Sequence, residues 1–326
     1  MSTWSRLVRF HPRSSPTSTL IGEPIDPSLD VGLAAYEGKD IVVEVYEGSS
    51  VLRAGDKTGR REVVERLLSP VGEDEVGTIR CIGLNYVKHA QEAKLDIPSV
   101  PVVFLKPSTT LAGPWPDRIV VPKFTVPHES ADYESELGVI IGRDCKDVSE
   151  EEALDYVLGY TATNDVSSRK SQFETSQWSF SKGFDKACPA GPCVVSAASI
   201  PDPSALYLRG LKNEEVMQES PLTDLIFSIP KIISFLSQGT TLRSGTLILT
   251  GESSPLSLTR RYSSSADSPS PPPNLLPPLL GSPTPQTPAG VGTFFDPPAF
   301  LRNGDVFRVE LSGGIGSLVN VVEYEK

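Results

Sequence analysis

Two glutamates, two residues apart, are the first residues in this chain whose types and spacing suggest chemistry. In the stretch Asp132-Tyr-Glu-Ser-Glu-Leu-Gly-Val-Ile-Ile-Gly142, Glu134 and Glu136 sit in a run dominated by β-branched and aromatic residues that ends on glycine. That pattern predicts a strand. Side chains alternate faces along a strand, so both acids point the same way. Side by side they repel each other unless a cation lies between them, and oxygen ligands select a hard ion such as Mg2+ or Mn2+. Taken on spacing alone, the plainer reading is a solvated strand face carrying two acids.

Further candidates follow in chain order. Asp165 falls in a predicted strand over Tyr160 to Val166 and would deliver a third carboxylate from a neighbouring strand. If the chain is helical from Val87 onward, His89 and Glu92 share a face. A histidine beside a carboxylate gains basicity and a fixed tautomer, as a general base requires, although solvated His–Glu pairs are common on helices. Arg169 and Gln172 lie three apart on a predicted turn or short helix. Lys182 stands in Lys182-Gly-Phe-Asp and taken singly reads as a surface lysine; Lys106 stands in Phe104-Leu-Lys-Pro-Ser. His11 and His128 have no such partner in sequence and read as solvated.

The elements that must position these residues are mostly strands. Leu7 to Phe10, Ile41 to Tyr46, Ile79 to Leu84, Val102 to Leu105, Ile119 to Val121, Leu247 to Thr250, Phe307 to Leu311 and Val319 to Tyr324 carry strand patterns. Leu206 to Leu211 and Glu214 to Gln218 predict a hairpin around Lys212 and Asn213. Helices are expected over Glu62 to Leu68, from Ser149 with a Glu152 capping box, and after Ser228 with Pro230 in the first turn and Gly239 at the end. Cys188 to Pro192 reads as a turn. The resulting class is mixed α+β and β-rich, with a small strand-rich N-terminal domain over 1–70 and a larger domain over 71–326.

Composition narrows the partners. The chain has 326 residues, 38% hydrophobic and 22% charged, with a net charge of -11. Such a balance argues against nucleic acid or an anionic membrane as partner. No apolar run approaches the ~20 residues that span a bilayer. Cys81, Cys145, Cys188 and Cys193 form no CxxC pair, so zinc is not expected and reduced intracellular thiols are. The first twenty residues lack acids and carry Arg6, Arg9 and Arg13. A first strand and a cytoplasmic protein is the reading taken, with a mitochondrial address as the alternative. One segment breaks the composition: Glu252 to Gln286 holds nine Ser, nine Pro and four charged residues in 35 positions. It cannot bury enough apolar surface to offset its ordering entropy, and a disordered insertion is expected there.

The ordered set Glu134-x-Glu136, Asp165 with Arg169 and Gln172, Lys182-Gly-Phe-Asp and Thr287-Pro-Ala-Gly-Val-Gly resembles the fumarylacetoacetate hydrolase superfamily. Cys81-Ile-Gly-Leu-Asn-Tyr and Phe295-Asp-Pro-Pro-Ala-Phe-Leu look most like its small acylpyruvase and oxaloacetate tautomerase members. The resemblance implies a mixed β-roll, an Mg2+ or Mn2+ ion, a small 2-oxo acid substrate and a homodimer. By position it makes Glu134, Glu136 and Asp165 metal ligands, and His89 with Glu92 an acid/base dyad. It places Lys182, Arg169, Gln172, Thr287 and, more weakly, Lys106 at the substrate. Those residue types suit hydrolysis of a carbon–carbon bond in an acylpyruvate. Keto–enol isomerisation or decarboxylation of oxaloacetate needs the same apparatus. The insertion splits the turn that leads to Thr287. It reads either as a surface loop or as a translated intervening sequence, and a chain left inactive by it is a further alternative.

Overall fold

The computed structural model describes residues 4–87, 97–251 and 291–326. Strands dominate. The N-terminal part contributes β1 (Arg6–Pro12), β2 (Leu20–Pro24), β3 (Val42–Tyr46) and β4 (Lys57–Leu68). Next come β5 (Ile79–Gly83), β6 (Val102–Lys106), β7 (Leu111–Ala112) and β8 (Arg118–Val121). The site region supplies β9 (Ala131–Asp132), β10 (Ser135–Ile141), β11 (Val157–Asn164), β12 (Ser167–Ser168) and β13 (Cys188–Ser196). The chain closes with β14 (Tyr207–Lys212), β15 (Glu215–Pro221), β16 (Leu247–Leu249), β17 (Val306–Leu311) and β18 (Gly316–Tyr324).

Among the described residues, an 11-stranded sheet runs β2-β3-β4-β1-β13-β11-β10-β16-β5-β6, with β7 beside β13. A second sheet runs β15-β14-β17-β18-β8, and β9 pairs with β12. The pairing is mixed: β16–β5, β13–β7 and β18–β8 are parallel, and the other pairs are antiparallel. The N-terminal strands join the rest directly, because β1 pairs with β13 through Arg6↔Val195 and Leu7↔Val194.

At the centre of the large sheet, β10 is buried along its whole length. Leu137, Val139 and Ile141 enter one apolar cluster, together with Tyr160, Ala162 and Phe307. Ile140 enters a second, with Cys81, Leu247 and Leu249. Covered on both faces, the strand reads as a continuous apolar run rather than an alternating one. The even-numbered face that carries Ile140 also carries Glu136, so the acids sit at the mouth of the smaller core.

Three sequence expectations are corrected. Residues 62–68 form the second half of strand β4 rather than a helix. Arg-Glu-Val-Val-Glu-Arg-Leu-Leu has helical spacing, but pairing with β1 and β3 satisfies its backbone and overrides local propensity. Cys188 to Pro192 opens strand β13 instead of making a turn. Pro192, after a cis Gly191–Pro192 bond, falls where the register to β11 shifts, and Pro189 lies opposite Ala112 of β7. After Ser149, the Ser149 Oγ–Glu152 Oε2 contact forms at 3.0 Å, but only a short 3-10 turn over Ala153–Tyr156 follows before Val157 enters β11. The Ser228-capped helix (Ile229–Ser237) and the β14–β15 hairpin lie where the pattern places them.

Candidate metal and active site

Strand alternation and one extended corner build the acid cluster. Glu136 is the second residue of β10 and faces Thr163 across β11. Glu134 lies just before the strand, where its amide donates to Asn164 Oδ1 at 3.0 Å and its carbonyl accepts the Asp165 amide at 2.9 Å. That backbone contact delivers Asp165 from the end of β11 to the same place. One carboxylate oxygen from each of Glu134, Glu136 and Asp165 lies within 4.8 Å of the others, and all three residues are buried.

Buried cations surround the acids. Lys182 Nζ donates to Glu134 Oε1 at 2.7 Å, Asp165 Oδ2 at 2.8 Å and Ser167 Oγ at 2.7 Å. Lys106, at the end of β6, donates to Asp165 Oδ1 at 2.5 Å. Arg169 opens a short helix (Arg169–Phe173), reaching Glu134 Oε1 at 2.6 Å and Gln172 Oε1 at 2.8 Å through Nη1. Lys182 is thus an interior residue rather than a surface lysine, and Lys106 is buried beside it. The loop that carries Lys182 folds tightly: a Cβ on Gly183 would stand 2.4 Å from Ser179 O. Lys182 Nζ also lies 4.9 Å from the centre of the Phe104 ring.

Among the described residues the charges do not close. Asp132, Glu134, Glu136 and Asp165 are set against Lys106, Lys182 and Arg169. Glu136 is the acid left short of partners. Its Oε2 accepts the Gly251 amide at 2.6 Å, while its buried Oε1 has no hydrogen-bond partner among the described residues. Burial, followed by the charges of Asp165 and Glu134, holds its pKa well above the ordinary carboxylate range. A buried carboxylate oxygen with no donor is costly unless something positive meets it. Surplus negative charge, an orphan oxygen and an all-oxygen donor set together fit a hard divalent cation. The neighbouring thiols offer no competing chemistry: burial pushes Cys188 up to about 12, and burial with the Asp165 charge pushes Cys81 well above its usual value.

Of the residues singled out from sequence, Glu134, Glu136, Asp165, Lys182, Lys106, Arg169 and Gln172 are gathered into this one cluster. His89, Glu92 and Thr287 lie outside the described residues, as does 252–286. Sequence reasoning missed four participants: Asp132, Ser167, Asn85 and Gly251. Asp132 has the same parity as Glu134 and Glu136, which was its available signal. Asn85 donates to Thr250 O at 2.6 Å and accepts the Phe227 amide at 2.7 Å, fixing the backbone just ahead of Gly251. Gly251 has φ +97, and a Cβ there would lie 2.6 Å from the Asn85 Cβ, so only glycine brings that amide to Glu136. Ser167 lies two residues before Arg169 and carried no motif.

Comparison with known proteins supplies an independent view. The family described as fumarylacetoacetate (FAA) hydrolase, C-terminal, matches residues 78–323. The chain is 41% identical to a caffeoylpyruvate hydrolase of Neonothopanus nambi, over 100% of this chain and 95% of that relative. It is 31% identical to a mitochondrial oxaloacetate tautomerase of Xenopus laevis, over 97% of this chain and 90% of that one. Among solved structures, a 2-hydroxyhepta-2,4-diene-1,7-dioate isomerase from Mycobacterium marinum superposes with TM-score 0.71 at 29% identity, covering 99% of both chains.

Proposed function

The chain belongs to the fumarylacetoacetate hydrolase family, and we propose that within it this protein hydrolyses a carbon–carbon bond of an acylpyruvate-type 2-oxo acid. The observation that carries the reading is the buried trio of Glu134, Glu136 and Asp165, with one oxygen of Glu136 unpartnered among the described residues, faced by Lys182 and Arg169. Those three carboxylates would hold Mg2+ or Mn2+. When bound, such an ion acts as a Lewis acid that polarises the keto group of a 2-oxo acid.

The protein groups do the rest. Arg169 and Gln172 are a bidentate donor set for the substrate carboxylate. His89, oriented by Glu92, takes a proton from water. The resulting hydroxide adds to the distal carbonyl carbon, and the bond from that carbon to the pyruvyl methylene breaks. The electron pair passes into pyruvate enolate, which takes up a proton; the other product is a carboxylic acid. Lys182 places positive charge where the enolate develops. Thr287 and Lys106 are assigned to substrate binding on the family pattern, although Lys106 reaches Asp165.

A second reading, interconversion of keto and enol oxaloacetate or its decarboxylation, is favoured by the Xenopus relative's name and by the same proton-moving groups. The two separate in one experiment. Acetylpyruvate, an aryl acylpyruvate and enol-oxaloacetate are followed by absorbance with Mg2+, Mn2+ or excess chelator. Metal-dependent release of pyruvate and the matching acid supports hydrolysis. Turnover of enol-oxaloacetate alone transfers the site to the isomerase reading, and chelator-insensitive turnover of any substrate removes the metal from the account. A homodimer is inferred from the family resemblance and is tested by light scattering. Among the described residues no helix is long and apolar enough to cross a membrane. The four cysteines are free and buried, which supports an intracellular setting. The cytoplasm is the first choice and the mitochondrion the alternative.

A further inference from the structure

Asp132 has no role in the reaction just proposed, on which this inference rests. It is fully buried. Its Oδ1 accepts the amides of Tyr133 at 3.0 Å and Gly292 at 2.6 Å. Its Oδ2 accepts Arg169 Nε at 2.8 Å and the Thr293 amide at 3.1 Å. One carboxylate therefore holds a side chain of the site and, by a different set of bonds, the start of the chain's last described segment.

The surroundings make these two tasks inseparable. Asp132 sits on β9, which pairs with β12 through Ser167↔Asp132, and β12 leads straight into the Arg169 helix. The Arg169 amide donates to Ser130 O at 2.9 Å. On the other side, the Ala299 amide donates to Gly292 O at 2.8 Å and the Leu301 amide to Ala131 O at 2.8 Å, laying the closing segment along β9. The contact depends on glycine: a Cβ at residue 292 would stand 2.7 Å from Asp132 Oδ1 and 2.6 Å from Ala299 O. A guanidinium is planar, with donors in a fixed fork. Holding its Nε in one direction sets the plane in which Nη1 reaches Glu134 and Gln172. An arginine held this way has already lost the rotamer freedom that binding would otherwise remove.

We propose that Asp132 is a positioning residue that couples the seating of the chain at Gly292–Thr293 to the placement of Arg169 for the substrate carboxylate. A disturbance of the closing segment is then felt at Arg169 without touching it.

The test uses the full chain with Asp132→Asn and, separately, Gly292→Ala. An amide has one acceptor oxygen, so Asp132→Asn must give up either the Oδ2 contacts, to Arg169 Nε and the Thr293 amide, or the Oδ1 contacts, to the Tyr133 and Gly292 amides. The expected result is a KM for the 2-oxo acid about tenfold higher with kcat within about threefold. The Nε–H of Arg169, assigned in the 15N spectrum by its absence in Arg169→Lys, should lose its protection from solvent exchange. Gly292→Ala should move both quantities in the same direction by less. In an Arg169→Lys background, adding Asp132→Asn should change KM less than about twofold, because the coupled partner is already altered. A residue that merely seats the backbone would lower Tm and leave both KM and the Arg169 Nε–H signal unchanged, and that outcome overturns the proposal. If Gly292→Ala does not fold, Asp132→Asn decides alone. If the wild type turns over no 2-oxo acid, the proposed function falls, and the Nε–H signal still decides the role of Asp132.

Discussion

Two glutamates among the described residues, Glu23 and Glu136, sit in clusters that behave in opposite ways. In the N-terminal sheet, Glu23 accepts Ser5 N at 2.9 Å, Ser5 Oγ at 2.7 Å and Arg6 N at 3.2 Å, and Lys57 Nζ bridges it to Glu44 at 2.9 and 3.0 Å. Burial works against the charged form of Glu23, but these bonds outweigh it and hold the carboxyl at about 2. In the central sheet, among the described residues, Glu136 has one backbone donor, Gly251, and two acidic neighbours, and burial pushes its carboxyl up. Glu23 is thus arranged to be ionised by the protein alone. Glu136 is not, and its ionised form waits for a cation that the described side chains do not supply. A carboxylate that the fold leaves dissatisfied in a dry place is a better guide to function than one that the fold satisfies.

The sharpest way to break this comparison is Glu136→Gln. Activity with Mg2+ should fall roughly 10²–10³-fold, since a ligand and its charge are lost. Stability without metal should hold or rise, because a buried, repelled carboxylate is replaced by a neutral amide. The two readouts are kcat/KM and the Tm in chelator. A Tm drop comparable to that of a core truncation would show that Glu136 is a structural partner after all.

Lys106→Met strikes the same cluster from the cationic side. Asp165 keeps Lys182 but loses Lys106, so the loss in urea unfolding should fall at the lower end of the range for a broken buried pair, about 3 kcal/mol. A loss under about 1 kcal/mol would mean that water reaches Asp165 and that the cluster is less dry than its burial implies.

The smallest effect belongs to the N-terminal cluster. Lys57 is nearly half exposed, and Lys57→Met should cost no more than about 1 kcal/mol and leave turnover unchanged. The pH dependence carries the sign. The folded-state pKa of Glu23 is depressed, so its contribution is complete above the ordinary carboxylate value of 4.5 and is lost as pH falls towards 2. The stability gap between wild type and Ser5→Ala should therefore be present at neutral pH and vanish across that window. A gap that persisted at pH 2 would assign the effect of Ser5 to packing.

Much of this was legible in the chain. The strands around the acids announced themselves because β10 is apolar on both faces, and Ser228 with Pro230 marks its helix start in three residues. Residues 62–68 misled because a helical repeat is a local signal, and their strand is dictated by partners at residues 9–12 and 42–44. The motif residues Arg169 and Lys182 were recognised by type, yet nothing local said that they were buried.

What the sequence determined by itself is the donor chemistry: three acids, two of them two residues apart in one extended stretch, and the family whose ordered motifs they share. Alternation along a strand is a property of covalent geometry, so it can be read without a fold. What only the tertiary structure decided is which groups share a charge. Lys106, Lys182, Arg169 and Gly251 come from four separate segments, and their interaction with the acids depends on distance and on the exclusion of water. Neither quantity exists until the sheet closes.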